Sequence, residues 1–159
     1  MRDQITSESL KSLATPSVGP ALPAGGTVAA LALAQAAALL ARTGDGACGG
    51  WMHGLRLAEQ DAFAVRTSGL ESWRPSADVI TAAASLPAVA ELRLSEVSGV
   101  ALLDVAAAAE VMRSAAVIAR VAIESRTGSV PVPEVDGLVT RAERITEAVR
   151  SGLSNQLVG

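Results

Sequence analysis

The stretch Pro23-Ala24-Gly25-Gly26-Thr27-Val28-Ala29-Ala30-Leu31-Ala32 decides the fold class of this chain. Two glycines and a threonine precede a run of alanines and leucines, which are strong helix formers, and this run continues to Arg42. Apolar residues go almost all the way round the predicted helix, so we expect it at the centre of the domain. The residues before it, 15–24, are predicted to form a loop because they hold Pro16, Gly19, Pro20 and Pro23.

Outward from this helix, the rest of the chain also reads as helices joined by short connections. A capped short helix is predicted before residue 15, and apolar spacing predicts later helices over roughly 51–68, 75–86, 88–95, 99–125 and 134–153. No segment alternates with a period of two, and no strand-helix order is visible, which disfavours the Rossmann and TIM arrangements. We therefore predict an all-α, antiparallel helical bundle of about five to seven helices, formed by a single domain over residues 1–159.

Composition limits both the core and the class of function. The chain has 159 residues, of which 50% are hydrophobic but only 2% aromatic, so the core is expected to consist of Ala, Leu, Val and Ile. A net charge of −3 without a basic stripe argues against nucleic-acid binding. Cys48 and His53 are the only cysteine and the only histidine, so neither a disulfide framework nor a metal site is expected.

The N-terminal residues have no basic segment followed by an apolar one, so no signal peptide is expected. The longest apolar run, residues 28–41, contains Gln35 and is shorter than a bilayer span. These two observations favour a cytoplasmic protein with no membrane partner.

The start of the central helix is a candidate binding site. A helix start has free backbone N–H groups and a partial positive charge, and glycines allow a ligand close approach. A phosphate or carboxylate could therefore sit at Gly25, Gly26 and Thr27. Plain loop punctuation before a capped helix explains the same residues, and the local sequence alone favours that explanation.

Two acids lie inside apolar runs. Helical spacing places Asp61 beside Leu57 and Val65, where a carboxylate either lies at the edge of an apolar stripe or is buried and serves as a general acid or base. Asp104 interrupts the apolar run 101–106 and is expected either to cap a helix break near Gly99 or to face a cavity.

Other polar residues have simpler explanations. One charged stripe on the long helix is predicted to be a solvated face with ion pairs three and four residues apart, formed by Glu110, Arg113, Val117, Arg120 and Glu124. An anion-binding stripe is the alternative. His53 is expected at the surface or in a cap, and no serine or threonine lies in a nucleophile motif.

In order and spacing, several segments resemble the formiminotransferase-cyclodeaminase or methenyltetrahydrofolate cyclohydrolase family. That family opens with Leu-Ala-Ser-Pro, a proline, three glycines, a serine and an Ala-rich helix, and the corresponding residues here are 12–16 and 23–32. Residues 57–64, which read Leu-Ala-Glu-Gln-Asp-Ala-Phe-Ala, resemble a second family segment. Leu103-Asp104 and the alanines after it are similar to a third.

The resemblance implies an all-α bundle that forms a homodimer and acts on a small molecule, a formimino- or methenyl-tetrahydrofolate, with no other cofactor. By match, Asp61 would be the acid–base residue. Pro23, Gly25, Gly26 and Thr27 would hold the substrate, and Asp104 would line the site. A cation for the folate glutamate tail is expected from Arg56, Arg66 or Arg120.

Two other functions remain as alternatives. One is a repurposed cyclase or lyase of specialised metabolism that acts on another imine- or amidine-type substrate. The other is a non-catalytic helical dimer that serves as a binding or scaffold module. The enzyme hypotheses require Asp61 to meet the glycine helix start, whereas the scaffold hypothesis expects Asp61 to be solvated or held in an ion pair.

Overall fold

A computed structural model describes residues 25–44, 50–67, 73–128 and 132–157, with side chains described in the same ranges except 62–67 and 154–157. These residues form helices and no strand, which confirms the predicted all-α bundle. The helices are α1 (Gly25–Arg42), α2 (Gly50–Thr67), α3 (Arg74–Ala83), α4 (Leu86–Glu96), α5 (Val100–Thr127) and α6 (Pro133–Leu157). The short helix predicted before residue 15 and the proline loop up to residue 24 lie outside the described residues.

Prolines mark the starts of three helices. Pro75, Pro87 and Pro133 each lie in a first turn, where the missing N–H has no intrahelical acceptor to lose. The sequence predicts that α3 ends at Leu86, whereas it ends at Ala83 and Leu86 begins α4. The sequence also predicts that α6 begins at residue 134, whereas it begins at Pro133. Both boundaries differ in the structure because the first turn accommodates the proline within the helix.

The core is built around α1 and α5, which run antiparallel and side by side. At one end, a Cβ added to Gly25 would lie 3.3 Å from the Cβ of Ala122. At the other end, Arg42 pairs with Asp104 at 3.6 Å. Alanines fill most of the buried face of α5, as the composition predicts, and the helix axes can approach closely because alanine is small.

The sequence predicts that α1 lies at the centre of the domain, and the structure agrees for the side of α1 that faces the other helices. It packs against α2, α3, α4 and α5, yet only 44% of its residues are buried. Its outward side carries apolar residues such as Val28, which is 36% exposed.

By length and composition α1 could cross a membrane, a test that the core helix of a soluble protein also passes. The helix is longer than the apolar run 28–41 because Gly25, Gly26, Thr27 and Arg42 belong to it.

Candidate functional site

The carboxylate of Asp61 lies buried between three helices. Its side chain is 1% exposed. One oxygen, Oδ2, accepts a hydrogen bond of 2.9 Å from the Thr27 hydroxyl at the start of α1. The other, Oδ1, accepts one of 3.1 Å from Nη1 of Arg126 near the end of α5. Residues distant in sequence thus meet at one carboxylate, and two of them, Thr27 and Asp61, were singled out from the sequence.

The crossing of α1 and α2 explains how Asp61 reaches the start of α1. A Cβ on Gly54 would lie 2.8 Å from the backbone nitrogen of Ala34, so the two helices nearly touch there. Asp61 lies seven residues, or about two turns, after Gly54 and so points to the same side of α2. Gly26 and Thr27 lie eight and seven residues before Ala34 along α1, which is also about two turns. The two helices therefore run antiparallel and bring these residues together.

Gly26 leaves the space that the carboxylate fills. A Cβ added at this position would overlap Oδ1 of Asp61. Asp61 is therefore packed directly against the first turn of α1, where the helix dipole favours a negative charge. The anion that lies against this helix start in the structure is thus the protein's own carboxylate.

Arg126 is the site residue that sequence reasoning missed. Its side chain is 10% exposed and pairs with Asp61 across 65 positions of sequence. The sequence carries one weak signal, a basic residue in the last turn of a helix. A basic residue in the last turn is normally explained by its favourable interaction with the helix dipole, so it does not by itself indicate a site. Gly128, with a φ of 80°, ends the helix two residues later and so keeps Arg126 in its last turn.

Asp104 does not join this site within one chain, which corrects the expectation that it lines it. It lies in the first turns of the 28-residue helix α5 and pairs with Arg42. Arg126 lies in the last turn, roughly 30 Å away at 1.5 Å per residue. The antiparallel packing of α1 and α5 thus puts Asp104 at the far end of α1 from Thr27.

Arg120 also points elsewhere. Its Nη1 donates a 3.0 Å hydrogen bond to Asp136 on α6, and its Nε lies 4.0 Å from Glu124. With the 3.1 Å pair between Arg113 and Glu110, these contacts confirm the predicted ion-paired stripe. Pro23, expected beside the substrate, lies outside the described residues.

The groove beside α1 is separate from Asp61. It has a volume of about 540 Å³ and opens between α1, the start of α2, α3 and α4. Its lining residues are mostly apolar and comprise Leu33, Ala37, Gly50, His53, Ala82, Ser85, Leu86, Val89, Leu92 and Arg93. His53 is exposed, as predicted for a surface residue. It lies about 12 Å along α2 from Asp61, at 1.5 Å per residue, and Asp61 is not among the residues that line the groove.

Within the described ranges, no three His, Cys, Asp or Glu side chains are grouped closely enough to hold a metal ion. The fold places the chain in the broad class of all-α helical bundles. No family model matches the chain, and no curated protein or solved structure matches it significantly.

Proposed function

We propose that this chain is a small cyclodeaminase- or cyclohydrolase-like enzyme that uses Asp61 for acid–base chemistry on a formimino- or methenyl-tetrahydrofolate. The observation that supports it is the contact of Gly26, Thr27 and Asp61, three residues that the family resemblance assigns to one site. The contact joins two helices across 34 positions, so local sequence does not explain it.

The partner of Asp61 in the structure fits an amidine-type substrate. A guanidinium is a planar N–C–N cation, and so is the methenyl bridge between the two folate nitrogens. In the proposal the substrate cation displaces Arg126 from Oδ1, and the Thr27 hydroxyl keeps Oδ2 in position. The freed carboxylate oxygen then takes a proton from the water that attacks the bridging carbon. It returns this proton to the folate nitrogen whose bond to that carbon breaks as the ring opens, and the hydroxyl proton of the intermediate is released to solvent as the formyl group forms.

A test follows the absorbance of methenyl-tetrahydrofolate with wild type, Asp61→Asn and Glu59→Gln. We expect wild type to accelerate loss of the chromophore and Asp61→Asn to lower that rate by about 10²-fold or more, the usual contribution of a general base. Glu59 is exposed on the same helix, so Glu59→Gln is expected to keep the wild-type rate. A wild type no faster than buffer overturns the folate proposal.

Since Asp61→Asn could also destabilise the fold, Thr27 supplies a second pair of variants. Thr27→Ser keeps the hydroxyl and is expected to retain most activity, whereas Thr27→Val removes the hydrogen bond with little change in shape. Circular dichroism identifies variants that remain folded. Equal rates for the two folded Thr27 variants contradict the proposed role of the hydroxyl.

The burial of Asp61 favours the non-catalytic alternative. Its side chain is 1% exposed and ion-paired, as expected of a carboxylate that only ties helices together. In that case wild type shows no turnover, and Asp61→Asn lowers stability alone. A thermal-shift screen with amidines and imines then tests the cyclase or lyase alternative, because a ligand that binds only the native state raises the unfolding temperature.

A further inference from the structure

The groove beside α1 has the size and the lining of a small-molecule site. Its volume of about 540 Å³ lies within the range of roughly 300–1,000 Å³ that is typical of such sites. Two helices supply its aliphatic walls, with Leu33 and Ala37 from α1 and Leu86 and Val89 from α4. These walls favour a ligand with an apolar body, because burying apolar surface is favourable.

A guanidinium lies at one end of the groove. Arg93 follows Leu86 by seven residues along α4, so it lies on the same side of that helix, about 10 Å further on. A Cβ on Gly44 would overlap the Arg93 guanidinium, which therefore lies against the backbone just after the end of α1. Gly44 comes seven residues after Ala37, so both helices place the guanidinium at the same end of the groove.

Two contacts hold this guanidinium in place. Nη1 of Arg93 pairs with Glu96, and Nη2 occupies the space that a side chain on Gly44 would fill. The side chain of Arg93 is 21% exposed and that of Glu96 is 43% exposed. Ion pairs at such partly exposed positions contribute little to stability, and a guanidinium has five N–H donors. A ligand anion can therefore bind beside Glu96 or displace it.

The charges of the lining residues select the polar group of the ligand. Within the described part of the chain, no Asp or Glu lines the groove, and Glu96 is not among its lining residues. Arg93 is positively charged at any ordinary pH. A carboxylate at one end of a ligand therefore meets an opposite charge, whereas an ammonium group there meets a like charge. Leu92, which is 55% exposed, continues the aliphatic surface to the rim.

We infer that this groove is a binding site for a small aliphatic carboxylate of the kind found in medium-chain fatty acids. The alkyl chain lies along the aliphatic walls, and the carboxylate accepts hydrogen bonds from Arg93 at the end of the groove. A groove of this size covers a small molecule, whereas a stable protein interface buries roughly 1,000 Å² or more. The inference is independent of the chemistry proposed for Asp61, which does not line the groove.

Isothermal titration calorimetry of the full chain with octanoate, octanol and octylammonium tests the inference. We expect octanoate to bind and octanol to bind at least about tenfold more weakly, because hydrogen bonds between charged groups are stronger than those of a neutral hydroxyl. Octylammonium should bind more weakly still, since Arg93 repels it. A wild type that does not bind octanoate overturns the inference, and so does octanol that binds as tightly as octanoate.

Arg93→Gln tests the role of the guanidinium. This variant should bind octanoate at least about tenfold more weakly than wild type and bind octanol unchanged, because only the charged hydrogen bonds are lost. Arg113→Gln is the matched control, since Arg113 forms an ion pair of the same spacing with Glu110 on α5, which supplies no lining residue. Equal affinities of the two variants for octanoate contradict the role of Arg93.

Leu92→Glu tests whether the ligand lies in the groove. Leu92 is exposed, so the fold tolerates a carboxylate there, and this carboxylate repels octanoate. Leu103→Glu is its control, because Leu103 is 52% exposed on α5 and does not line the groove. We expect several-fold weaker octanoate binding by the Leu92 variant alone, with the helical content of both checked by circular dichroism. Equal octanoate affinities of these two variants overturn the inference, because the ligand then lies elsewhere.

Discussion

At the scale of single residues, the buried carboxylate depends on the absence of a side chain at Gly26. Any Cβ there overlaps Oδ1 of Asp61, so Gly26→Ala must push α1 and α2 apart or displace the carboxylate from Thr27. We expect Gly26→Ala to lower the free energy of unfolding by about 1–3 kcal/mol, the usual cost of overpacking. Urea denaturation measures the change.

Gly137→Ala is the control for that substitution. Gly137 is exposed within α6, and a Cβ there meets nothing within 4 Å. Replacing this glycine should raise stability by about 0.5–1 kcal/mol, since alanine loses less backbone entropy in a helix. A Gly26→Ala variant as stable as Gly137→Ala contradicts the described packing.

The residues of the site also show which of its features the local sequence predicts and which it does not. The sequence indicates that Asp61 is either buried or at the edge of a stripe, because it lies within an apolar run, and the structure selects burial. No local feature indicates that Arg126 supplies the counter-charge, since the two residues are 65 positions apart. Asp104 has the same sequence signal as Asp61 but pairs with Arg42, because it lies at the other end of the bundle.

At the scale of helices, α4 and α6 are joined by an ion pair with two hydrogen bonds. Nε and Nη2 of Arg141 donate to the two carboxylate oxygens of Glu91 at 3.0 and 2.7 Å. The hydrogen bonds from Arg141 lower the pKa of Glu91 below its ordinary value of 4.5, although desolvation acts in the opposite direction. The same pair raises the pKa of Arg141, which stays charged at any ordinary pH.

A lowered pKa in the folded state means that Glu91 stabilises the fold above pH 4.5, the ordinary value. This contribution is lost as the pH falls through the lowered pKa of the folded state. The pair is partly exposed, so the effect is expected to be about 0.5–1 kcal/mol. Urea denaturation of wild type and Glu91→Gln should therefore show a difference at pH 7 that shrinks toward pH 3.

Glu143→Gln, which removes an exposed carboxylate of α6, is the control for this pH dependence. It is expected to change stability less than Glu91→Gln at pH 7. A Glu91→Gln effect that stays constant or grows toward acid pH is incompatible with the lowered pKa.

At the scale of the whole molecule, stability depends on alanines that let the helices approach closely. Ala116 is 0% exposed in the middle of α5. Ala116→Leu adds a branched side chain where no space exists, and we expect a loss of about 1–3 kcal/mol or more. Thermal denaturation of both this variant and Ala88→Leu, on the exposed side of α4, measures the effect. Equal unfolding temperatures are the result that contradicts a tightly packed Ala core.

The sequence by itself determined the fold class, the approximate helix boundaries and the Ala-rich core. These follow from helical periodicity, from prolines and glycines at helix ends, and from composition, all of which act over a few residues. It also determined the ion-paired stripe on α5, because partners three and four residues apart meet on any helix.

Only the tertiary structure decided which distant residues share a site. The antiparallel packing of α1 with both α2 and α5 brings Thr27, Asp61 and Arg126 together and carries Asp104 to the opposite end. The same packing leaves one side of an all-round apolar helix exposed. Helix direction and crossing depend on the summed burial of many side chains, so no single stretch of sequence contains them.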